Sequence, residues 1–475
     1  MRTALGSAAG LVVAPHALEA ALAAPLGEVA GAHRFVSRPD LRPQVVKALR
    51  RSTGRAPGYV FLAPLSGPGD RGALIVDETG APIWFRPSAP VVALNVRAAV
   101  YRGKPVLTWW QGKTEHGLGD GTHLVVDDTY REVARLPAGG GRHSDLHEFV
   151  LTPHGTALVS AWEAVPTDLS SLGGLRDGIV IGGVVQELAL PSGRVLFEWR
   201  SLDHVPIGES YAGVSVHAPY DYFHVNSVEL DSDGDLLVSA RNTWGVYKID
   251  RGSGDVVWRL GGKRSDFTIG PGATFAWQHD ARHHDGHLVS LFDDGAAPPV
   301  ESRSRGLLLA LDVKQMRASV HRAYLHAPPV LARALGSMQV LPNGNVLVGW
   351  GTAPYITEYT AGGRVVLDLK LAQGGENYRA VKLPWQGRPA DAPAVGARRL
   401  QGSTFVYASW NGATDVASWQ LATGPTGDVL QDDRVAPRSG FETPIVASAD
   451  ARFAAVTALD AAGNPLATSK TLRLP

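Results

Sequence analysis

Three histidines occupy equivalent positions in three successive stretches of the sequence. His147 lies in SDLHEFVLTPHGTALVSAW, His224 in YDYFHVNSVELDSDGDLLVSAR and His279 in FAWQHDARHHDGHLVSLFDDG. The histidines precede turn glycines by 8, 10 and 7 residues, and these glycines are Gly155, Gly234 and Gly286. Titratable side chains that recur once per repeat unit are expected to meet at one place, and such clusters mark functional sites. We therefore predict a shared polar site built from three imidazoles.

Arg241 adds a fixed positive charge to this predicted site. It ends the run LLVSAR, seven residues after Gly234, which brings the chain back to the level of His224. The matched positions in the other units are Trp110, Trp162, Asp293 and Gly351. Because these are mostly apolar or small, packing does not explain an arginine here. A guanidinium binds planar or tetrahedral oxyanions through paired hydrogen bonds, and a rim arginine paired with a carboxylate is the ordinary alternative.

Zinc is the other ligand that three imidazoles could bind, and three protein ligands would leave one coordination position open. No acidic fourth ligand recurs at a matched position. Glu148 and Asp280 follow their histidines directly, so they are expected to point to the opposite faces of their strands. The neighbouring arginine also suits an anion better than a cation. We predict no metal ligands, with zinc as the alternative that only geometry can decide.

Four further side chains flank the central residues and are predicted to bind substrate. Tyr222, Asn226 and Asn242 can donate or orient hydrogen bonds beside His224 and Arg241. Trp277 stands two residues before His279. It either belongs to the core or forms one wall of an aromatic slot.

The elements that must position these residues are predicted to be β-hairpins. One pattern recurs six times: a β-branched run, an acidic or glycine turn, and a run that ends in an aromatic residue or leucine. Its turn positions are Gly80, Tyr130, Gly193, Gly254, Met316 and Gly363, separated by 50, 63, 61, 62 and 47 residues. A second hairpin type lies between these copies, and its first copy is degenerate around YVFLAPL. Two hairpins make one four-stranded unit.

Six such units predict an all-β chain that forms a six-bladed β-propeller. We predict an N-terminal tail over residues 1–54, the propeller over 55–385 and a Pro- and Ala-rich linker over 386–396. Residues 397–475 are predicted to form a small C-terminal β-sandwich of the immunoglobulin or fibronectin type. An irregular β-sandwich or a solenoid is the alternative for the whole chain.

Composition excludes several classes of partner and chemistry. The 475 residues contain 45 Lys and Arg and 45 Asp and Glu, so no net charge attracts nucleic acid or an anionic membrane. The absence of cysteine excludes a disulfide, a thiolate nucleophile and a Cys-bound metal. No apolar run reaches the length of about 18 residues expected of an integral membrane segment. Composition carries no prediction of oligomeric state.

Residues 1–24 are small and apolar, and they predict either a weak signal peptide or an unstructured or helical tail. The apolar core is short and is interrupted by Pro15 and His16. The first interpretation predicts that the protein is secreted or exposed at the cell surface.

Several long blocks resemble the arylsulfotransferase-like propeller proteins of bacteria and fungi, over roughly residues 55–385. They include DLHEFVLTPHGTAL, PYDYFHVNSVELDSDGDLLVSARNTWGVYKID, VWRLGGKRSDFTIGPGATFAWQHDAR and LFDDGA. Enzymes of this family move a sulfuryl group from one phenol to another without the nucleotide sulfate donor. The resemblance implies that His279 is the nucleophile and that His224 and Arg241 hold the sulfuryl oxygens. It also implies that His147 lies near the phenolic oxygen.

The chain also departs from this family's pattern. The bacterial enzymes use a disulfide, which this cysteine-free chain cannot form, and the C-terminal module here is a further difference. The predicted function is an aryl sulfate sulfotransferase without a cofactor, whose partners are a small aryl sulfate donor and a phenolic acceptor. Two alternatives stay open. One is a propeller that binds such ligands without turnover, and the other is a metal-dependent hydrolase or lyase on the same histidines.

Overall fold

The computed structural model describes residues 28–285 and 287–475, and it is built almost entirely from β-strands. The chain is 52% strand and 2% helix, which confirms the prediction of an all-β fold. The predicted signal peptide in residues 1–24 and the predicted turn residue Gly286 lie outside the described residues. Among the residues described, no helix is long and apolar enough to cross a membrane.

Five antiparallel sheets follow one another in chain order, each with four consecutive strands. Sheet 2 contains Val92–Tyr101, Lys104–Glu115, Leu118–Asp127 and Glu132–Leu136. Sheet 3 contains His143–Leu151, Thr156–Thr167, Gly178–Ala189 and Val195–Arg200, and Tyr220–Asp221 joins its third strand. Sheet 4 contains Val225–Leu230, Leu236–Ala240, Gly245–Ile249 and Val256–Gly261.

The last two of these sheets each carry one extra strand at the outer edge. Sheet 5 contains His279–His284, Leu288–Asp293, Arg305–Asp312, Arg317–Tyr324 and the added Thr268–Ile269. Sheet 6 contains Ser337–Val340, Val346–Gly349, Tyr355–Tyr359, Val365–Leu371 and the added Val46–Arg51. Part of the predicted N-terminal tail is therefore a strand of sheet 6.

Sheet 1 is assembled from both ends of this region. Its strands, in order, are Val381–Leu383, Tyr59–Leu62, Gly72–Val76 and Pro82–Pro87. Val381 pairs with Phe61, and the short pair Glu376–Asn377 with Pro64–Ser66 extends the same junction. The sequence YVFLAPL, which predicts a degenerate hairpin, instead supplies the strand Tyr59–Leu62, and its partner on one side comes from the far end of the chain.

The first strands of the six sheets surround a common axis. Each first strand contacts the first strands of the sheets before and after it, and sheet 6 contacts sheet 1. Apolar clusters fill the spaces between neighbours. One of them joins Leu158 and Val185 of sheet 3 to Val228 and Val238 of sheet 4. Because full burial of such a side chain contributes about 1.5–3 kcal/mol, each sheet is stabilised mainly by its neighbours.

The turns confirm the repeat that the sequence predicts. All six aligned turn positions of the outer hairpins have a left-handed backbone. Their φ angles are 85° at Gly80, 66° at Tyr130, 69° at Gly193, 81° at Gly254, 50° at Met316 and 88° at Gly363. Two positions without glycine adopt the same conformation, so the turn is set by hairpin geometry and not by residue type alone.

Residues 394–473 form two further sheets. One contains Ala394–Leu400, Ser403–Ser409 and Glu442–Val446. The other contains Val429–Pro437, Ser418–Thr426, Phe453–Leu459, Pro465–Thr468 and Leu472–Arg473. Val406, Trp419 and Val456 belong to one apolar cluster shared by the two sheets. The first strand starts inside the predicted linker, and the Asn411 amide bonds to the backbone of Phe85 in sheet 1 at 2.9 Å.

The remaining elements are short. Glu28–Val29 pairs with Ala32–His33 ahead of the sheets. The helical turns are Ser170–Leu172, Ser201–His204 and Ile207–Glu209.

Candidate active site

The structure brings the three histidines together on the common axis. The ring centroids of His147 and His224 are 4.7 Å apart, and those of His147 and His279 are 6.5 Å apart. Each histidine lies on, or directly before, the first strand of its own sheet. All three are at most 9% exposed. We call these residues the histidine cluster.

Local bulges turn these side chains toward the axis. The pairing between first and second strands shifts register between Ser144 and Phe149 in sheet 3, and between Val225 and Ser227 in sheet 4. The same shift follows His279 in sheet 5. His224 has a left-handed φ of 56°. Bulges re-aim side chains and are common beside active sites, so this irregularity in successive sheets is what gathers the imidazoles.

Each imidazole binds one carboxylate through Nδ1. The pairs are His147 with Asp145 at 2.6 Å, His279 with Asp294 at 2.8 Å, and His224 with Asp221. Burial raises the pKa of the Asp294 carboxyl well above its usual value, against the effect of the nearby Arg241 charge. Beside an ionised aspartate, which only accepts hydrogen bonds, a neutral ring carries its proton on Nδ1. Nε2 then keeps its lone pair. Ionised aspartates at these three places therefore select Nε2 as the ring nitrogen that is available to a ligand.

Burial keeps two of the imidazoles neutral near pH 7. It lowers the pKa of His279 well below its usual value, and the charge of Arg241 acts in the same direction. Burial also lowers the pKa of His147 and outweighs the attraction of Asp145. Burial acts to raise the pKa of the Asp145 carboxyl. The charge and hydrogen bond of His147 and the backbone N–H of Gly119 nevertheless hold that pKa below its usual value.

Arg241 lies beside the histidine cluster as an unpaired cation. Its backbone N–H donates to the His224 carbonyl at 3.0 Å, which sets the two residues side by side. Its Nη1 donates to the Asn242 side-chain oxygen at 2.9 Å, and its guanidinium lies 4.8 Å from the ring centroid of Trp277. Within the described part of the chain, no carboxylate forms an ion pair with Arg241. A guanidinium held this way has hydrogens left for an oxyanion.

The four residues predicted to bind substrate take different places. Asn242 orients Arg241 and donates to the Asp221 carbonyl at 2.6 Å, and Asn226 donates to the Gln278 carbonyl at 2.5 Å. Tyr222 lies in the core between sheets 3 and 4, and its hydroxyl donates to the Val205 carbonyl at 3.1 Å. That placement gives Tyr222 a packing role away from the imidazoles.

Trp277 forms one side of an aromatic region next to Arg241. Its ring meets Trp244 edge to face at 5.2 Å, and Trp244 stacks on Tyr211 at 3.7 Å. Trp244 and Tyr211 line a cavity of about 290 Å³ together with Phe275. Aromatic walls of this kind suit an aryl ring.

Sequence reasoning missed the residues that hold the histidines in place. Gln278 donates to Ser239 Oγ at 3.1 Å and to the Gly245 carbonyl at 3.0 Å, which anchors the residue before His279 to sheet 4. The carboxylate partners Asp145 and Asp221 stand two and three residues before their histidines, so spacing could have indicated them. Asp294, in the block LFDDGA, is 15 residues after His279 and meets it only through the hairpin.

A buried ion-pair cluster adjoins the histidine cluster. It consists of Glu148, Asp280, Arg97, Arg282 and Arg379. Glu148 binds Arg282 at 2.5 Å and Arg379 at 3.0 Å, and Asp280 binds the same two arginines at 2.8 and 3.2 Å. The two carboxylates weighed as metal ligands are therefore engaged by arginines. Within the residues described, no group of three His, Cys, Asp or Glu side chains could hold a metal ion.

The arrangement combines three chemical capacities in one buried place. His279 is a neutral imidazole, and with Asp294 ionised its Nε2 is free to act as a nucleophile near pH 7. Arg241 can donate hydrogen bonds to an oxyanion as charge develops on it, and His224 can do so through Nε2 when its ring carries a second proton. His147 can exchange a proton with a reacting hydroxyl. The site is suited to moving an anionic group through a histidine.

Comparisons with known proteins agree with this chemistry at the level of family. The model of the family described as Arylsulfotransferase (ASST) matches residues 97–373, which include the histidine cluster and Arg241. No curated protein matches the chain. A protein of unknown function from Bacteroides caccae has 13% identity and a TM-score of 0.43, and the match covers 68% of this chain and 98% of that one. Virginiamycin B lyase from Staphylococcus aureus has 9% identity and a TM-score of 0.33, covering 76% and 94%.

Proposed function

Because the chain belongs to the arylsulfotransferase (ASST) family, whose model spans more than half of its residues, we propose that it is an aryl sulfate sulfotransferase. It moves a sulfuryl group from an aryl sulfate to a phenol through a sulfuryl-histidine on His279, without a nucleotide sulfate donor. One observation carries this proposal. A neutral, buried imidazole is held by Asp294 through Nδ1 and lies near the unpaired guanidinium of Arg241.

In the first half-reaction, Nε2 of His279 attacks the sulfur of the donor. The bond from nitrogen to sulfur forms while the bond from sulfur to the aryl oxygen breaks. The departing phenolate takes a proton from His147, whose protonated form is favoured once the negative sulfate ester is bound. Nδ1 of His279 stays bonded to Asp294, which stabilises the positive charge that develops on the ring.

In the second half-reaction, the neutral His147 takes the proton of the incoming phenol. The phenol oxygen attacks sulfur, the bond from nitrogen to sulfur breaks, and His279 returns to its neutral form. His147 ends the cycle protonated, as it began it. Sulfuryl transfer resembles phosphoryl transfer in spreading charge over the peripheral oxygens. Arg241 donates hydrogen bonds to those oxygens, and so does Nε2–H of His224 in its protonated form. Ping-pong kinetics follow from this sequence.

The finer architecture is part of the proposal. The six sheets are the blades of a six-bladed β-propeller, and the two C-terminal sheets are a β-sandwich of the immunoglobulin or fibronectin type. The closed order of contacts among the six first strands supports the propeller. The single apolar cluster shared by the two C-terminal sheets supports the sandwich. A crystal structure that shows an open ring of sheets would contradict the first assignment.

The test is the release of p-nitrophenolate from p-nitrophenyl sulfate with and without excess phenol. We expect release that depends on phenol, survives a chelator and is absent in His279→Ala. Mass spectrometry after donor treatment should find one SO₃ group on His279. His321→Ala removes an exposed histidine and is the control. Bound zinc, with activity lost to the chelator, would instead indicate a metal-dependent hydrolase or lyase. Binding of donor without an adduct would indicate a ligand-binding protein.

A further inference from the structure

The segment that closes the ring of sheets passes through the middle of the molecule. After sheet 6 ends at Leu371, the chain runs through Glu376–Asn377 and then enters sheet 1 at Val381. Between these strands lie Tyr378, which is fully buried, and Arg379, which is 3% exposed. Both residues lie beyond the end of the family match at residue 373.

Tyr378 contacts residues from three sheets. Its hydroxyl lies 3.1 Å from the His147 carbonyl and 3.2 Å from the Asn226 carbonyl, so its one hydrogen is shared between sheets 3 and 4. Its ring stands edge-on to the His147 ring at 5.4 Å and to the His279 ring at 6.5 Å. Tyr378 therefore touches the imidazoles of sheets 3 and 5 and the backbone beside the third one.

Arg379 extends these contacts to a fourth sheet. Its Nη1 donates to the Asn95 side-chain oxygen of sheet 2 and to Glu148 of sheet 3, both at 3.0 Å. Its Nη2 donates to the Asn226 carbonyl of sheet 4 at 3.2 Å. Its Nε lies 3.2 Å from the Asp280 carboxylate of sheet 5. One guanidinium thus uses its planar fork to join four sheets at the axis.

We propose that Tyr378 and Arg379 are positioning residues of the transfer site, forming a central pin that fixes the three imidazoles relative to one another. The inference rests on the proposed function and deepens it. The imidazoles belong to three separate sheets, and apolar packing between sheets does not by itself set the distance between their ring nitrogens. A displacement of about 1 Å can cost about 100-fold in rate, so polar contacts that reach all three sheets have a direct catalytic consequence.

The pin also acts through charge. Burial is the main cause that lowers the pKa of both His147 and His279, and the Arg379 guanidinium makes a smaller contribution in the same direction. The other charged or titratable groups facing these two rings are Asp145, Asp294, Arg241 and His224, and they stay in place when the pin is changed. Loss of the Arg379 charge should therefore raise the pKa of both imidazoles, whereas loss of the Tyr378 hydroxyl should not.

Three variants separate geometry from charge. Tyr378→Phe keeps the ring and removes the hydroxyl, and Arg379→Lys keeps the charge and removes the fork. Both should lower kcat by up to about 100-fold, more than they change KM, with the pH profile unmoved. Arg379→Met removes the charge and should also shift the acidic limb of the kcat/KM profile to higher pH. Tyr407→Phe, at a fully buried tyrosine of the C-terminal sheets, is the matched control and should behave as wild type.

A second measurement keeps this test separate from that of the proposed function. NMR of the substrate-free, full-length protein with ¹⁵N-labelled histidine follows the titration of the imidazoles and needs no turnover. The titration midpoints of His147 and His279 should rise in Arg379→Met and should be unchanged in Arg379→Lys and Tyr378→Phe. Wild-type kcat in both Tyr378→Phe and Arg379→Lys would overturn the positioning role. Unmoved midpoints in folded Arg379→Met would overturn the role of its charge. If Arg379→Met does not fold, the kcat values of Tyr378→Phe and Arg379→Lys decide whether the two residues have the positioning role.

Discussion

The histidine cluster and the ion-pair cluster are neighbours in sequence and space but satisfy their polar groups in opposite ways. Glu148 follows His147 directly, and Asp280 follows His279 directly. Each imidazole has one nitrogen bound to a carboxylate and the other left for a ligand. In the ion-pair cluster, Glu148 instead meets three arginines and Asp280 meets two. The histidine cluster keeps reactive atoms free, whereas the ion-pair cluster pairs its charges across different sheets.

This difference shows how a closed ring of sheets can carry a reactive centre. Bulges in the first strands send successive residues to different surroundings at the axis, so a histidine and the acidic residue after it serve two clusters. The ion-pair cluster holds the sheets in register, and the histidine cluster beside it keeps one nitrogen of each ring free for a ligand. Changes in the histidine cluster should therefore affect rate, and changes in the carboxylates of the ion-pair cluster should affect stability. Arg379, which contacts both clusters, should affect rate as well.

The largest effect on rate, short of removing the nucleophile, is expected from Asp294→Asn. An asparagine can donate its amide N–H to Nδ1 of His279, which moves the ring proton to Nε2 and occupies the attacking lone pair. We expect kcat to fall by about 10³–10⁴-fold, with folding retained. Steady-state kinetics measure the fall, and ¹⁵N NMR of His279 should show a protonated Nε2.

Asp145→Asn is the matched comparison because it disturbs His147 in the same way without touching the nucleophile. The p-nitrophenolate leaving group needs little protonation, so the sulfuryl adduct should still form, while transfer to phenol should slow. If both aspartate variants lost adduct formation equally, the separate roles of the two imidazoles would be wrong.

A smaller loss is expected from Arg241→Met. The change removes the charged donor for the sulfuryl oxygens, and loss of one such donor costs about 10²–10³-fold in kcat. Arg241→Lys should recover part of that loss, because a point charge replaces the fork. Arg176→Met, at an exposed arginine, is the control. If Arg241→Met kept the wild-type kcat, Arg241 would not be the group that stabilises the charge on the sulfuryl oxygens.

Local periodicity made much of this molecule predictable. The all-β class, the six hairpin turns and the meeting of His147, His224 and His279 all follow from patterns that repeat along the chain. The juxtaposition of Arg241 and His224 follows from counting residues along one hairpin. Such features are visible in sequence because each depends on residues within one repeat unit.

The features that close the ring were not predictable in this way. Val381 pairs with Phe61, and Val46–Arg51 pairs with the last strand of sheet 6, across more than three hundred residues. Tyr378 and Arg379 have no repeat counterpart, since only one segment can close the ring. The sequence predicts Tyr222 beside the site because it flanks His224, but its side chain lies in the core. These outcomes depend on long-range packing, which local pattern does not encode.

The ion-pair cluster gives a prediction of stability that is independent of catalysis. Burial acts to raise the pKa of Glu148, but Arg282, Arg379 and Arg97 lower it from 4.5 to about 2. A carboxyl whose pKa is lower in the folded state stabilises the fold above pH 4.5, and that contribution is lost as the pH falls toward 2. The difference corresponds to about 3 kcal/mol of unfolding free energy at pH 7.

Glu148→Gln should therefore lower the urea midpoint of unfolding markedly at pH 7. Below pH 4, the difference between the urea midpoints of the variant and the wild type should become steadily smaller. Its activity per folded molecule should fall less than that of Asp294→Asn, because the reactive nitrogens remain. Glu115→Gln, at an exposed carboxylate, is the control. If the difference in urea midpoint between wild type and Glu148→Gln stayed constant from pH 7 to pH 3, Glu148 would contribute through its shape and not through its charge. The ion-pair cluster would then not stabilise the fold electrostatically.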